Sequence, residues 1–265
     1  MSSTAQVPAS PRRGAAARII ARLDVKDPQG LVKGIHLEGF RVIGDPGEHA
    51  LRYYEAGVDE LVYMDVVASL YERNSLAHLV SSTADRIFVP LTVGGGIRKV
   101  DDIYTLLRAG ADKVALNTAA VRRPELIAEA VRTFGSQCIV LSVEAKRTKT
   151  GGWEAYTDNG RERTGLDAVE WIRRACDLGV GEVLLTSVDR EGTRRGFDLE
   201  LVTAVAPHVQ VPLVLCGGAG SVNDVERAFT QGADGVAIAS LFHYGVETVG
   251  SLKAGLLERG VEVRP

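Results

Sequence analysis

The chain has 265 residues, 25 % of them charged, and a formal net charge of −3. That balance, with a sequence pI of about 6.0, excludes the strongly basic surface that a nucleic-acid partner requires, and no apolar run reaches the roughly 18 residues of a membrane-spanning helix. Cys138, Cys176 and Cys216 have neither CxxC spacing nor neighbouring histidines, so the reading is no metal, no cofactor and no disulfide framework, in a reducing, cytoplasmic setting.

Residues 1–17 are rich in Ser, Ala, Pro and Arg. They lack the apolar stretch of a signal peptide and read as a disordered tail, with a transit peptide as the alternative. From residue 18 to 265 a single domain is expected. Short β-branched runs at 18–25, 60–66, 88–93, 113–116, 138–143, 182–187, 211–215 and 235–239 alternate with helical patterns near 46–57, 73–85, 99–109, 123–134, 166–179, 198–207, 221–231 and 247–259. Asp45-Pro46, Arg123-Pro124 and Ser221 are helix starts, and Gly57, Gly110, Gly179 and Gly232 are helix ends. Eight strand–helix alternations imply a parallel sheet, and that number favours closure into a (β/α)8 TIM barrel. Two connections, 26–45 and 146–165, are long enough to be functional.

The second half of the chain repeats the first. Gly110-Ala111-Asp112 returns as Gly232-Ala233-Asp234, Gly94-Gly95-Gly96 as Gly217-Gly218-Ala219-Gly220, and Asp24 in Leu23-Asp24-Val25-Lys26 as Glu144 in Val143-Glu144-Ala145-Lys146. Solenoid units are only about 20–50 residues long, so this longer period marks two duplicated half-barrels. Barrel active sites lie at the C-terminal ends of the strands, where each glycine turn can bring backbone N–H groups against an anion. Asn117-Thr118 and Ala239-Ser240 end the adjoining strands and add polar groups. Two such cradles imply a substrate with two phosphates, although glycine turns without a ligand give the same pattern. Asp24 and Glu144 project into the mouth from equivalent places and suit general acid and base work; ion pairs with Lys26, Lys33 or Lys146 are the structural alternative. Asp65 and Asp189 orient loops or bind substrate. Arg18, Glu60, Lys113 and Glu182 fall at the opposite end, as a salt-bridge network or as a gate and docking ring.

The ordered motifs Leu91-Thr92-Val93-Gly94-Gly95-Gly96-Ile97-Arg98, Ala109-Gly110-Ala111-Asp112-Lys113-Val114, Asn117-Thr118-Ala119-Ala120-Val121, Cys216-Gly217-Gly218-Ala219-Gly220 and Ser240-Leu241-Phe242-His243 resemble the cyclase subunit of imidazole glycerol phosphate synthase. The resemblance covers nearly all the chain after residue 17. It implies a lyase that forms a heterodimer with a glutaminase subunit. Ammonia from that partner enters at the barrel bottom and reacts at the top with the bisphosphorylated formimino carboxamide ribonucleotide PRFAR, giving imidazole glycerol phosphate and the carboxamide ribotide AICAR in histidine biosynthesis. By the same match Asp24 and Glu144 are catalytic. Lys33, Gly95, Gly96, Asn117, Gly192, Thr193, Gly217, Gly218, Ala239 and Ser240 hold substrate, phosphate or loop positions. Arg18, Glu60, Lys113 and Glu182 match the ammonia gate, and Asp112 a position at the partner interface.

Three residues depart from the family pattern. Glu144 stands where an Asp is usual, Glu191 replaces the second Asp of an Asp-Arg-Asp-Gly-Thr loop, and Arg22 replaces a small residue, usually Cys. Period-two alternation puts Arg22 on the same inward face as Asp24. An interior arginine needs a counter-charge, and Glu144 or Glu60 are the candidates. These changes keep open a paralogous barrel subunit that uses glutaminase-derived ammonia to amidate a surface or nucleotide sugar.

Overall fold

The computed structural model describes residues 16–68 and 76–264. Its strands, in chain order, are β1 (Arg18–Lys26), β2 (Gly30–Ile35), β3 (Glu38–Gly44), β4 (Glu60–Asp65), β5 (Leu91–Gly94), β6 (Lys113–Leu116), β7 (Ile139–Arg147), β8 (Trp153–Thr157), β9 (Glu162–Asp167), β10 (Glu182–Ser187), β11 (Leu213–Cys216) and β12 (Gly235–Ile238). β1, β4, β5, β6, β7, β10, β11 and β12 pair in parallel, each with the next, and β12 returns to β1 with Arg18–Ala21 against Gly235–Ile238. The sheet closes into the expected (β/α)8 barrel. Most of the expected residues 1–17 tail lies outside the described residues, as do residues 69–75 ahead of helix Ala77–Ala84. Ala17 is tied down, its N–H donating to the Glu262 carbonyl at 2.8 Å.

The outer helices form where the sequence supplies a cap and one apolar face. Asp45 caps Pro46–Glu55, Asp167 caps Ala168–Asp177 and Ser221 caps Val222–Thr230, each accepting backbone N–H groups of the first turn. An N-cap of this kind is worth about 1 kcal/mol. Their buried faces, such as Trp171, Ile172 and Ala175, meet the outward residues of the strands in one continuous core. Alternate strand residues point the other way. Ile20, Val62, Met64, Ala115, Val140, Leu184, Val214, Cys216 and Ala237 fill the barrel interior as a second apolar cluster.

The two long connections are hairpins rather than irregular loops. β2 and β3 add antiparallel to β1, and β8 and β9 add antiparallel to β7. They hold equivalent places: Asp24 lies opposite Val32, and Glu144 opposite Tyr156. The second hairpin turns at Asp158 and Asn159, both left-handed, followed by Gly160. Asn and Asp tolerate that conformation better than most side chains. The strand expected from residue 88 begins only at Leu91, and Phe88 is 81 % exposed.

Candidate active site

β1 and β7 carry Asp24 and Glu144 to the C-terminal mouth at matching heights: Asp24 is in register with Met64 of β4, and Glu144 with Thr186 of β10. Both acids are buried, but their surroundings differ. Burial alone would raise the Asp24 carboxyl, yet the charge of Arg22, and then that of Lys33, outweighs it and holds the group below its ordinary range. Arg22 Nε donates to Asp24 Oδ1 at 2.8 Å, and Lys33 Nζ lies 3.6 Å from Oδ2. Burial dominates at Glu144. Its carboxyl is pushed up to about 7, with the Arg22 charge and the Gly160 N–H only partly opposing the shift. Gly160 N–H donates to Glu144 Oε2 at 2.7 Å. Near neutrality Asp24 is therefore a carboxylate, and Glu144 is poised between acid and carboxylate.

The expectation that Arg22 pairs with Glu144 or Glu60 is corrected by this geometry. Arg22 is in register with Val62, above Glu60 in β4, and Asp24 is its neighbour on the same inward face of one strand. Short range decides the pairing, and Nη1 completes it through Thr186 Oγ1 at 3.1 Å and Cys216 Sγ at 3.4 Å.

Lys33, expected at a phosphate or loop position, turns its ammonium to Glu191 and Asp24. The β2–β3 hairpin that bears it lies across the mouth. His36 N–H donates to the Glu191 carbonyl at 3.0 Å, Leu37 N–H to Glu191 Oε2 at 3.1 Å, and Asn159 Nδ2 to the Leu37 carbonyl at 3.1 Å. Hence two departures from the family pattern, Arg22 and Glu191, join Asp24 in one ion-pair network through Lys33, and the third, Glu144, feels the Arg22 charge from the opposite strand.

The two glycine turns form matched surroundings. Asn117 and Ala239 share an unusual backbone, with φ −130°, ψ −91° and φ −120°, ψ −79° respectively, each just before a short helix. A cavity of 220 Å³ touches Gly95, Gly96, Asn117, Thr118 and Glu144. A smaller one of 20 Å³ touches Gly192, Gly217, Gly218, Ala239 and Ser240. Gly95 and Gly218 have φ of +98° and +111°, and a Cβ would run into the Asp65 and Gly196 carbonyl oxygens. These turns therefore need glycine for close backbone approach as well as for conformation. Thr193 directs its hydroxyl to the Arg190 carbonyl at 2.7 Å and lines neither cavity. Asp65 accepts from the N–H groups of Val67 and Ala68 and also lines the first cavity, while Asp189 accepts from that of Arg147.

Sequence reasoning missed Arg98, Arg122 and Arg123, which line the first cavity. Their signal was present in Gly96-Ile97-Arg98 and in the paired arginines after Asn117. Gly160, which holds Glu144, was also missed. It comes from a distant hairpin, and no local pattern points to it.

At the other end, Arg18 pairs with Glu60 at 2.6 Å and Glu182 at 2.8 Å, while Lys113 pairs with the same acids at 2.8 and 3.1 Å. The four charges close a ring beneath the apolar interior. Asp112 uses Oδ2 to accept the Leu91 N–H at 2.8 Å, and its repeat partner Asp234 accepts the Leu213 N–H at 2.8 Å. The shared contact explains why Gly-Ala-Asp recurs: the aspartate anchors the start of the preceding strand in each half.

Together, a closed parallel barrel and opposed buried carboxylates at its C-terminal mouth define a (β/α)8-barrel enzyme. The histidine biosynthesis protein family matches residues 18–248. Imidazole glycerol phosphate synthase subunit HisF of Legionella pneumophila is 59 % identical over 207 residues, 78 % of this chain and 97 % of the relative. The subunits of the same name from Mycobacteroides abscessus and Mycobacterium tuberculosis are 51 % and 50 % identical over 255 and 257 residues, covering 94 % and 95 % of this chain and 99 % and 96 % of theirs. The chain belongs to the histidine biosynthesis protein family, among its imidazole glycerol phosphate synthase subunits.

Proposed function

We propose that the chain is the cyclase subunit of imidazole glycerol phosphate synthase and converts PRFAR and ammonia to imidazole glycerol phosphate and AICAR. Its relatives are named as subunits, and the partner in this reading is a glutaminase that docks at the charged ring and supplies the ammonia. Three free cysteines fit a cytoplasmic setting. The observation that carries the reading is the pair of opposed, buried acids at equivalent places of the two halves, at the mouth that holds the two glycine-lined cavities.

The two cradles hold the substrate's phosphates and stretch its sugar linkers across the mouth. Asp24, kept ionised by Arg22, accepts a proton as general base. Glu144, with its carboxyl near 7, donates one to the leaving oxygen as general acid, and the proton that Asp24 took from the ammonia nitrogen returns to Glu144 through solvent before the next turnover. Groups whose pKa lies near the working pH do this most effectively. The extra methylene of Glu144 extends its carboxylate to the Gly160 N–H, which positions it at the wall of the first cavity. For substrate to lie between the cradles the β2–β3 hairpin must lift, and Lys33 is then freed from Glu191 for a phosphate.

The test is the purified chain with PRFAR and an ammonium salt, product being followed chromatographically. Formation of AICAR, abolished by Asp24→Asn, is expected. A folded chain that makes none, alone or with a glutaminase subunit and glutamine, would refute the reading. The ion-pair network that Arg22 and Glu191 build on Asp24 favours one second reading, amidation of a different phosphorylated sugar, and competition between that sugar and PRFAR distinguishes the two.

A further inference from the structure

Arg22 is the bulkiest of the fully buried side chains. From β1 it crosses the interior to Thr186 on β10 and Cys216 on β11. A guanidinium has five N–H donors in a planar fork. Nε is used by Asp24, and Nη1 by Thr186 and Cys216. Among the described residues Nη2, equally buried, has no hydrogen-bond partner, and neither has Asp24 Oδ2. Lys33 is close enough to Oδ2 for ionic attraction but, at 3.6 Å, too far for a hydrogen bond. One ion pair thus carries both an unmatched donor and an unmatched acceptor, in an interior where such groups are normally paired.

A sugar hydroxyl is donor and acceptor at once and satisfies both atoms. The position suits it: the fork touches Cys216, which lines the second cavity, and its charge reaches Glu144, which lines the first, although Arg22 itself lines neither with the hairpin down. We propose that Arg22 is a substrate-binding residue, donating through Nη2 to an oxygen of one of the two sugars that carry the phosphates, while Asp24 Oδ2 accepts from that oxygen when it is a hydroxyl. This rests on reading the two cradles as the ends of one bisphosphorylated substrate. Asp24 has no exposed surface with the hairpin down, so the contact forms as Lys33 leaves it.

Titration calorimetry with ribulose 5-phosphate, n-pentyl phosphate and inorganic phosphate, each small enough to occupy one cradle, tests the contact without requiring turnover. Wild-type protein is expected to prefer the hydroxylated phosphate ester to the alkyl one by about tenfold or more, the scale of one charge-assisted hydrogen bond. Arg22→Lys keeps a cation beside Asp24 but lacks the second arm of the fork. It is expected to abolish that preference and to leave inorganic phosphate binding unchanged. Equal affinity of the wild type for the two phosphate esters overturns the proposal, with or without a folded variant. So does a folded Arg22→Lys variant that retains the preference. Absence of PRFAR turnover with the preference intact would instead refute the proposed reaction and leave this contact standing.

Discussion

Replacing Glu144 with glutamine separates its chemical role from its energetic one. The folded chain raises this carboxyl from 4.5 to about 7. At 1.36 kcal/mol per unit, the shift amounts to about 3 kcal/mol of coupling between proton binding and folding. The sign follows from proton counts. Between those two values the folded protein holds a proton that the unfolded chain releases. The contribution is complete below about 4.5 and is lost as pH rises through 7. Above that, the folded state must hold a buried carboxylate. Glu144→Gln cannot ionise and keeps an acceptor for the Gly160 N–H. Its stability should come within about 1 kcal/mol of the wild type near pH 5 and exceed it by about 3 kcal/mol at pH 8. For a domain of this size each kcal/mol moves the melting temperature by about 2–4 °C. The assay is thermal unfolding of both proteins from pH 5 to 9, alongside the rate with PRFAR and ammonium. Catalysis should fall about 10²–10⁴-fold, the usual contribution of a general acid. A melting difference that stays constant across this range would show that Glu144 titrates as an ordinary carboxylate, and the acid assignment would fail with it.

Wild-type kcat should decline above pH 7 as Glu144 loses its proton, and a profile flat to pH 9 would count against it. Asp24→Asn removes the counter-charge of buried Arg22 and should cost about 3–5 kcal/mol in urea denaturation as well as turnover; because the Asp24 carboxyl is lowered, its own contribution is present above about pH 4 and fades as pH falls through the folded value. Gly218→Ala places a Cβ against the Gly196 carbonyl and should weaken inorganic phosphate binding by at least about tenfold in calorimetry, where unchanged affinity would dismiss the second cradle. Lys113→Met leaves Glu60 and Glu182 to share Arg18 alone and should lower glutamine-dependent turnover with a partner glutaminase far more than turnover with free ammonium.

The barrel was legible because its signals are local and repeated. Alternating strands, capped helices and the Gly-Ala-Asp repeat each act over a few residues, and the duplication showed that Asp24 and Glu144 are counterparts. Period two also placed Arg22 on the inward face. The partner of Arg22 was not legible, because Val62 rather than Glu60 lies beside it in β4 and the nearest acid was two residues away in its own strand. The hairpin that brings Lys33 and Leu37 to Glu191 was equally hidden, since such contacts join residues more than 150 positions apart through the closure of the sheet.

The sequence by itself thus determined the repeat, the strand and helix order, and which side chains face inward, since these depend on backbone period and short-range capping. Only the tertiary structure decided how the acids differ. Burial and the distance to Arg22 set the charge of a carboxyl, and both depend on which strands become neighbours once the barrel closes.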